Sequence, residues 1–124
     1  MTALHTQITE AGLAALVRTF YGRVREDPML GPVFNAAVDD WEAHFARLTD
    51  FWSSVMLTTG RYKGNPFSQH LKHPLTPPMF DRWLAIWAET VGELFASGPA
   101  AELRARAERI GDSLRQGLFF RPMP

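Results

Sequence analysis

Apolar residues recur along this chain at steps of three and four, the spacing that lines side chains along one face of an α-helix. Leu13, Leu16, Val17, Phe20, Tyr21 and Val24 form the first such face. Asp27-Pro28 should end it, because the residue before a proline is driven out of helical geometry. Leu30-Gly31-Pro32-Val33-Phe34-Asn35 reads as a short turn-rich segment with Phe34 pointing inward. Asp39 or Asp40 then caps a second helix whose stripe is Trp41, Phe45, Leu48, Phe51, Trp52, Val55 and Met56, with His44 inside it. A loop with two glycines and a closing proline occupies residues 58–66, and residues 67–71 allow little more than one helical turn before Pro74. Thr76 with Pro77-Pro78 starts a third long helix, lined by Phe80, Trp83, Leu84, Trp87, Val91, Leu94 and Phe95. Ser97-Gly98-Pro99 breaks it, and a fourth helix over about residues 100–118 buries Leu103, Ala107, Ile110 and Leu114. No stretch alternates with the period of a strand. The fold class is all-α, and residues 1–124 make one domain.

The charges exclude several partners. Thirteen basic and thirteen acidic residues cancel, which leaves neither a nucleic-acid surface nor a polybasic membrane patch. No apolar run approaches the roughly 20 residues that cross a bilayer, and the amino terminus has no signal-peptide pattern. The expectation is a cytoplasmic protein with no membrane and no nucleic-acid partner. Because the chain has no cysteine, disulfides, zinc–thiolate sites and iron–sulfur clusters are excluded. Nine Phe and four Trp make the chain rich in rings, which serve either a bulky core or the walls of a large flat pocket.

Most conventional chemistry fails on the remaining residues. Ser53 and Ser54 lie mid-helix without a strand–turn–helix elbow, so a hydrolase triad does not assemble there. Gly60 and Gly64 are too sparse for a phosphate loop, and no two histidines stand at i, i+4. His70 differs in its setting, between a glycine loop and Pro74 with Phe67 and Leu71 beside it. A histidine there can project a neutral imidazole into an apolar cavity while its other ring nitrogen meets a backbone carbonyl, as a haem iron requires. An ordinary surface or internally bonded histidine is the competing reading. Tyr21, His44 and Trp83 bring hydrogen-bonding atoms into three otherwise apolar stripes. Either they share a polar ligand, or Tyr21 bonds a backbone carbonyl, His44 sits at the solvent edge and Trp83 only packs.

The order of these residues resembles the truncated haemoglobins, in particular their third group. The resemblance runs from about Leu13 to Leu118, through Phe20-Tyr21, Leu30-Gly31-Pro32-Val33-Phe34-Asn35 and Trp41-Glu42-Ala43-His44. It continues through Phe51-Trp52, Tyr62-Lys63-Gly64-Asn65-Pro66, His70 and Phe80-Asp81-Arg82-Trp83-Leu84, while the glycine motifs of the other two groups are absent. It implies a two-on-two helical sandwich enclosing haem b, iron protoporphyrin IX, with His70 as the metal's protein ligand. It further implies Tyr21 and Trp83 as hydrogen-bond donors to a diatomic ligand and His44 as a gate on the same side. Phe34 would pack on the porphyrin, with Phe20, Leu48, Trp52, Leu71 and Phe80 as walls, and Tyr62 and His73 near its edge.

The function so implied is binding of a diatomic gas (oxygen, nitric oxide or carbon monoxide) at ferrous haem, with polar neighbours slowing release. An alternative is a redox enzyme, a nitric oxide dioxygenase or peroxidase-like catalyst fed by a separate reductase. A second alternative is a cofactor-free helical interaction module.

Overall fold

The structure, a computed structural model, describes residues 3–64 and 75–119, the side chains of 118 and 119 excepted. Among the described residues the chain forms five helices: α1 (Glu10–Glu26), α2 (Gly31–Ala37), α3 (Trp41–Leu57), α4 (Pro77–Leu94) and α5 (Ser97–Phe119). α1 packs on α3 and α4, and α4 packs most extensively on α5. The result is the two-on-two sandwich, with α1 and α3 on one side and α4 and α5 on the other. No strand forms among these residues; His5 makes one isolated parallel bridge to Phe95, which ties the amino-terminal segment across the α4–α5 corner.

The helix ends follow local chemistry. Thr9 caps α1 by accepting from the Gly12 N–H at 3.0 Å, and Asp40, not Asp39, caps α3 by accepting from Ala43 at 3.2 Å. α3 stops at Thr58, which adopts the left-handed conformation with φ 58°. Thr76 precedes α4 as expected, but its side chain makes no cap bond. Pro77 and Pro78 have no N–H to offer, and the Met79 N–H is taken by the Thr76 carbonyl at 3.0 Å.

Two expectations need correction. The segment around Gly31-Pro32 is helix α2 rather than a turn, because Pro32 sits in its first turn, where a missing N–H costs nothing. The buried Asp27 carboxylate also takes the N–H groups of Met29 and Leu30 at 3.0 and 2.9 Å and so starts the helix. Ser97-Gly98-Pro99 separates α4 from α5 but is itself the first turn of α5, where proline is tolerated.

The core is centred on α1. Leu13, Leu16, Val17, Phe20 and Val24 are fully buried against Trp52 of α3, Trp87 and Val91 of α4, and Leu103 and Ala107 of α5. Ile110 and Leu114 are only half-buried, so the far end of α5 contributes less than its periodicity predicts. The Trp87 indole N–H donates to the Leu103 carbonyl at 3.1 Å, which pins α4 to α5 inside the core. Truncating a ring of this kind to alanine costs about 3–5 kcal/mol. Arg18 to Glu42 and Arg23 to Glu93 pair across the helix interfaces at the surface, and Arg23 also donates to the buried Thr90 hydroxyl. Exposed ion pairs are worth about 0–1 kcal/mol each, so they align helices that the rings hold together.

Candidate functional site

Tyr21, His44, Trp83 and Phe34 come together from four helices. Tyr21 lies on the α1 face turned toward α2 and α3, with its ring 5.8 Å from both Phe34 and His44. Trp41 closes the side, 5.5 Å from His44 and 6.4 Å from Tyr21, and the Arg25 guanidinium lies over its outer face at 4.6 Å. Trp83 enters from α4, held by edge-on contact with Phe20 at 5.3 Å.

The polar atoms of this group are not equivalent. The Trp83 indole N–H acts on the Tyr21 hydroxyl from close by and favours its charged form. An indole N–H can only donate, so Trp83 can act on Tyr21 only through the phenol oxygen, which leaves the Tyr21 O–H to donate elsewhere. Burial pushes the Tyr21 phenol up to about 12, although Trp83 works against it. Tyr21 is therefore a protonated donor at every ordinary pH. The His44 Nε2 is buried and has no partner among the described residues. Burial, with the nearby Arg47 charge, lowers the His44 pKa below its ordinary 6.5, so its imidazole is neutral at pH 7. A buried polar atom left unpaired costs about 1–3 kcal/mol, which marks His44 Nε2 as an atom positioned for something other than the fold.

Behind this face the other expected residues divide. Phe20 sits between Tyr21, Trp83 and Trp87, and Trp52 stacks on Trp87 at 4.5 Å, both enclosed in the core. Leu48 is half-buried one turn beyond His44. Phe80 is buried near the start of α4, with the Arg115 guanidinium 5.6 Å from its ring. Tyr62 lies in the loop after α3, edge-on to Phe51 at 5.2 Å, and its backbone N–H donates to the Ser54 hydroxyl at 2.9 Å. His70, Leu71 and His73 lie outside the described residues. Among the described residues no cluster of three or more His, Cys, Asp or Glu side chains is arranged to hold a bare metal ion.

Two arrangements escaped the sequence reading. Ser53 is fully buried, and its hydroxyl donates to Glu10 at 3.0 Å beside Thr59 at 2.8 Å, while Arg61 pairs with the same Glu10. This set fastens the loop after α3 to the start of α1. Asp27 pairs with Arg82 at 2.7 Å, fastening the α1–α2 corner to the residue before Trp83. A serine beside an apolar stripe and an aspartate before proline are the visible signals, but Ser53 was weighed only as a nucleophile and Asp27 only as a helix end.

Residues 6–110 match the family model of the bacterial-like globins. Over 117 residues the chain is 31% identical to the group 3 truncated haemoglobin of Campylobacter jejuni, spanning 90% of this chain and 92% of that protein. The chain belongs to the truncated haemoglobins of the third group. The crystal structure of a group III truncated haemoglobin from Campylobacter jejuni superposes with a TM-score of 0.90 at 29% identity, over 98% of this chain and all of that one. This truncated haemoglobin is accordingly a haem protein of the kind that binds diatomic gases. No helix among its described residues is long and apolar enough to cross a membrane.

Proposed function

We propose that residues 1–124 form one globin domain that holds haem b on the face lined by Tyr21, His44, Trp83 and Phe34, with His70 as the iron's protein ligand and oxygen as the preferred gas. The observation that carries the reading is the buried, unpartnered Nε2 of His44 beside a phenol that has a proton to give. Rings on several sides and polar atoms on one suit a flat apolar group that carries a small polar ligand. Haem iron, when bound, supplies a redox-active centre for one diatomic molecule.

The chain's own residues then do three things. Phe34, Leu48 and Phe80 would exclude water, backed from the core by Phe20 and Trp52. Trp83 acts on the Tyr21 oxygen from close by, and where its N–H donates there the Tyr21 O–H is left to point into the pocket, donating and accepting at one oxygen strengthening each other. His44, neutral, gives or takes one hydrogen bond at Nε2 and holds no charge that would draw in water. A Tyr21 hydrogen bond to a bound diatomic that carries partial negative charge would be charge-assisted and worth about 1.5–3 kcal/mol. That slows release, which favours sensing, scavenging or redox work over transport.

Two measurements test this. An absorption spectrum of the haem-loaded, reduced protein should show a Soret band that His70→Ala loses or shifts, whereas identical spectra would assign the iron to another residue. Stopped-flow release of oxygen should be roughly tenfold to a hundredfold faster in Tyr21→Phe. An unchanged rate would remove Tyr21 from the ligand.

A further inference from the structure

Three of the four tryptophans form one stacked column. Trp83 and Trp87 lie 5.7 Å apart with their planes 5° from parallel, and Trp87 and Trp52 lie 4.5 Å apart at 20°. At one end Trp83 stands by Tyr21, with the Phe20 ring edge-on to both at 4.7 and 5.3 Å. At the other, Trp52 touches Phe51 at 5.5 Å and Phe51 touches Tyr62 at 5.2 Å, where a half-buried phenol stands on the loop after α3. The column thus crosses the core from the Tyr21 face to the opposite end of α3.

We propose that this column conducts electrons, so that a peroxide reduced at the Tyr21–Trp83 face draws its electrons through Trp83, Trp87 and Trp52 from Tyr62. The proposal rests on the haem reading above and adds the route and the surface where a small one-electron reductant, of the hydroquinone or ascorbate class, is consumed. Indole and phenol are the side chains that give up single electrons most readily once thiols are excluded, and this chain has no cysteine. Electron transfer weakens steeply with distance; ring contact keeps the hops among the three indoles short, and the remaining step, from Tyr62 to Trp52, spans the Phe51 ring that touches both. Trp87 suits a relay because its N–H faces the Leu103 carbonyl. A carbonyl is no base, so the oxidised indole keeps its proton and the charge passes on without waiting for proton transfer.

Charge sets the direction. Tyr21 also touches Trp41, but the Arg25 guanidinium over that indole opposes a second positive charge there. Among the described residues, the guanidiniums placed over rings lie on Phe45, Trp41 and Phe80, and none on the three stacked indoles. The balance is that of peroxide reduction. The O–O bond breaks, two electrons arrive singly along the column, two protons come from solvent, and two waters leave. Each electron that Tyr62 gives up releases its phenolic proton to solvent, and the external reductant restores electron and proton together.

The experiment omits the reductant, so that the radical stays where the column ends. Haem-loaded protein receives hydrogen peroxide with a nitrone spin trap, and adducts are mapped by tandem mass spectrometry. The wild type should carry the adduct at Tyr62. Trp87→Phe and Trp52→Phe should lose it there and retain labelling at Tyr21 or Trp83, while Trp41→Phe should match the wild type. Circular dichroism checks that each variant folds, and either break in the column suffices if the other fails. Equal Tyr62 labelling in wild type, Trp87→Phe and Trp52→Phe overturns the route, as does its loss in Trp41→Phe. A Soret band with labelling confined to Tyr21 and Trp83 in the wild type overturns the column but leaves the haem site standing. Absence of a Soret band overturns both.

Discussion

Asp27→Asn is the sharpest single test of how the fold positions the site. Only 3% of the Asp27 side chain is exposed, and its two oxygens divide their work. One accepts the N–H groups of Met29 and Leu30 at 3.0 and 2.9 Å; the other accepts Arg82 Nε at 2.7 Å. Asparagine has one acceptor oxygen. If that oxygen stays on the two backbone groups, the amide NH2 faces a guanidinium, donor against donor. The charge-assisted bond to Arg82 is then lost, at about 1.5–3 kcal/mol. Arg82 is half exposed and recovers part of this from water, so the lower part of that range applies. The two backbone bonds also weaken from charged to neutral, by roughly 0.5 kcal/mol each. The total is about 3 kcal/mol, or roughly 10 °C in melting temperature for a chain of this length. Chemical denaturation at pH 7 measures it, and a loss under about 0.5 kcal/mol, ordinary for a surface change, would refute the reasoning. Burial pushes the Asp27 carboxyl up, but the Leu30 bond, Arg82 and the Met29 bond outweigh it and hold the pKa below 3.8. A lowered carboxyl pKa stabilises the fold above the unfolded value and loses that effect as pH falls through the folded one. The wild-type advantage over Asp27→Asn should therefore be constant at neutral pH and begin to vanish below about 3.8.

Three further tests concern other parts of the molecule. Gly31→Ala would put a methyl group 2.6 Å from the Arg25 carbonyl oxygen, so the α1–α2 corner must open at about 1–3 kcal/mol in denaturation, whereas Gly22→Ala, with open space around it, should lose nothing. Ser53→Ala should cost about 1 kcal/mol and speed hydrogen exchange at the Tyr62 amide, because the loop loses its tie to Glu10; unchanged exchange would show that Arg61 alone fastens it. His44 makes stability fall as pH drops through 6.5, since the unfolded chain takes up the proton that the buried imidazole resists. His44→Gln should flatten that slope, and an unchanged slope would assign it to another group.

Much of the fold was legible because it rests on local physics. The stripe from Leu13 to Val24 gave α1, Pro28 its end, and Asp40 the start of α3. Where local rules compete, the same reasoning misplaced details. Gly31-Pro32 satisfies both a turn and a helix start, and only the buried Asp27 carboxylate decides between them. Thr76 has the chemistry of a cap but faces two prolines and an N–H already taken by its own carbonyl.

The site divides along the same line. The residue types and order of Tyr21, His44 and Trp83 were enough to suggest polar atoms converging from three helices. Which of them stand side by side was not, because Tyr21 and Trp83 meet only through the crossing of α1 and α4. The same holds for the free Nε2 of His44 and for the Trp83–Trp87–Trp52 column. Periodicity reports the side of a helix that a residue occupies, through neighbours three or four positions away. Ring contact, desolvation and the pairing of buried polar atoms are set by residues far apart in the chain. The sequence determined helices, faces and candidate groups; the packing of α1, α3 and α4 decided which atoms are bonded, which are left free, and which rings touch.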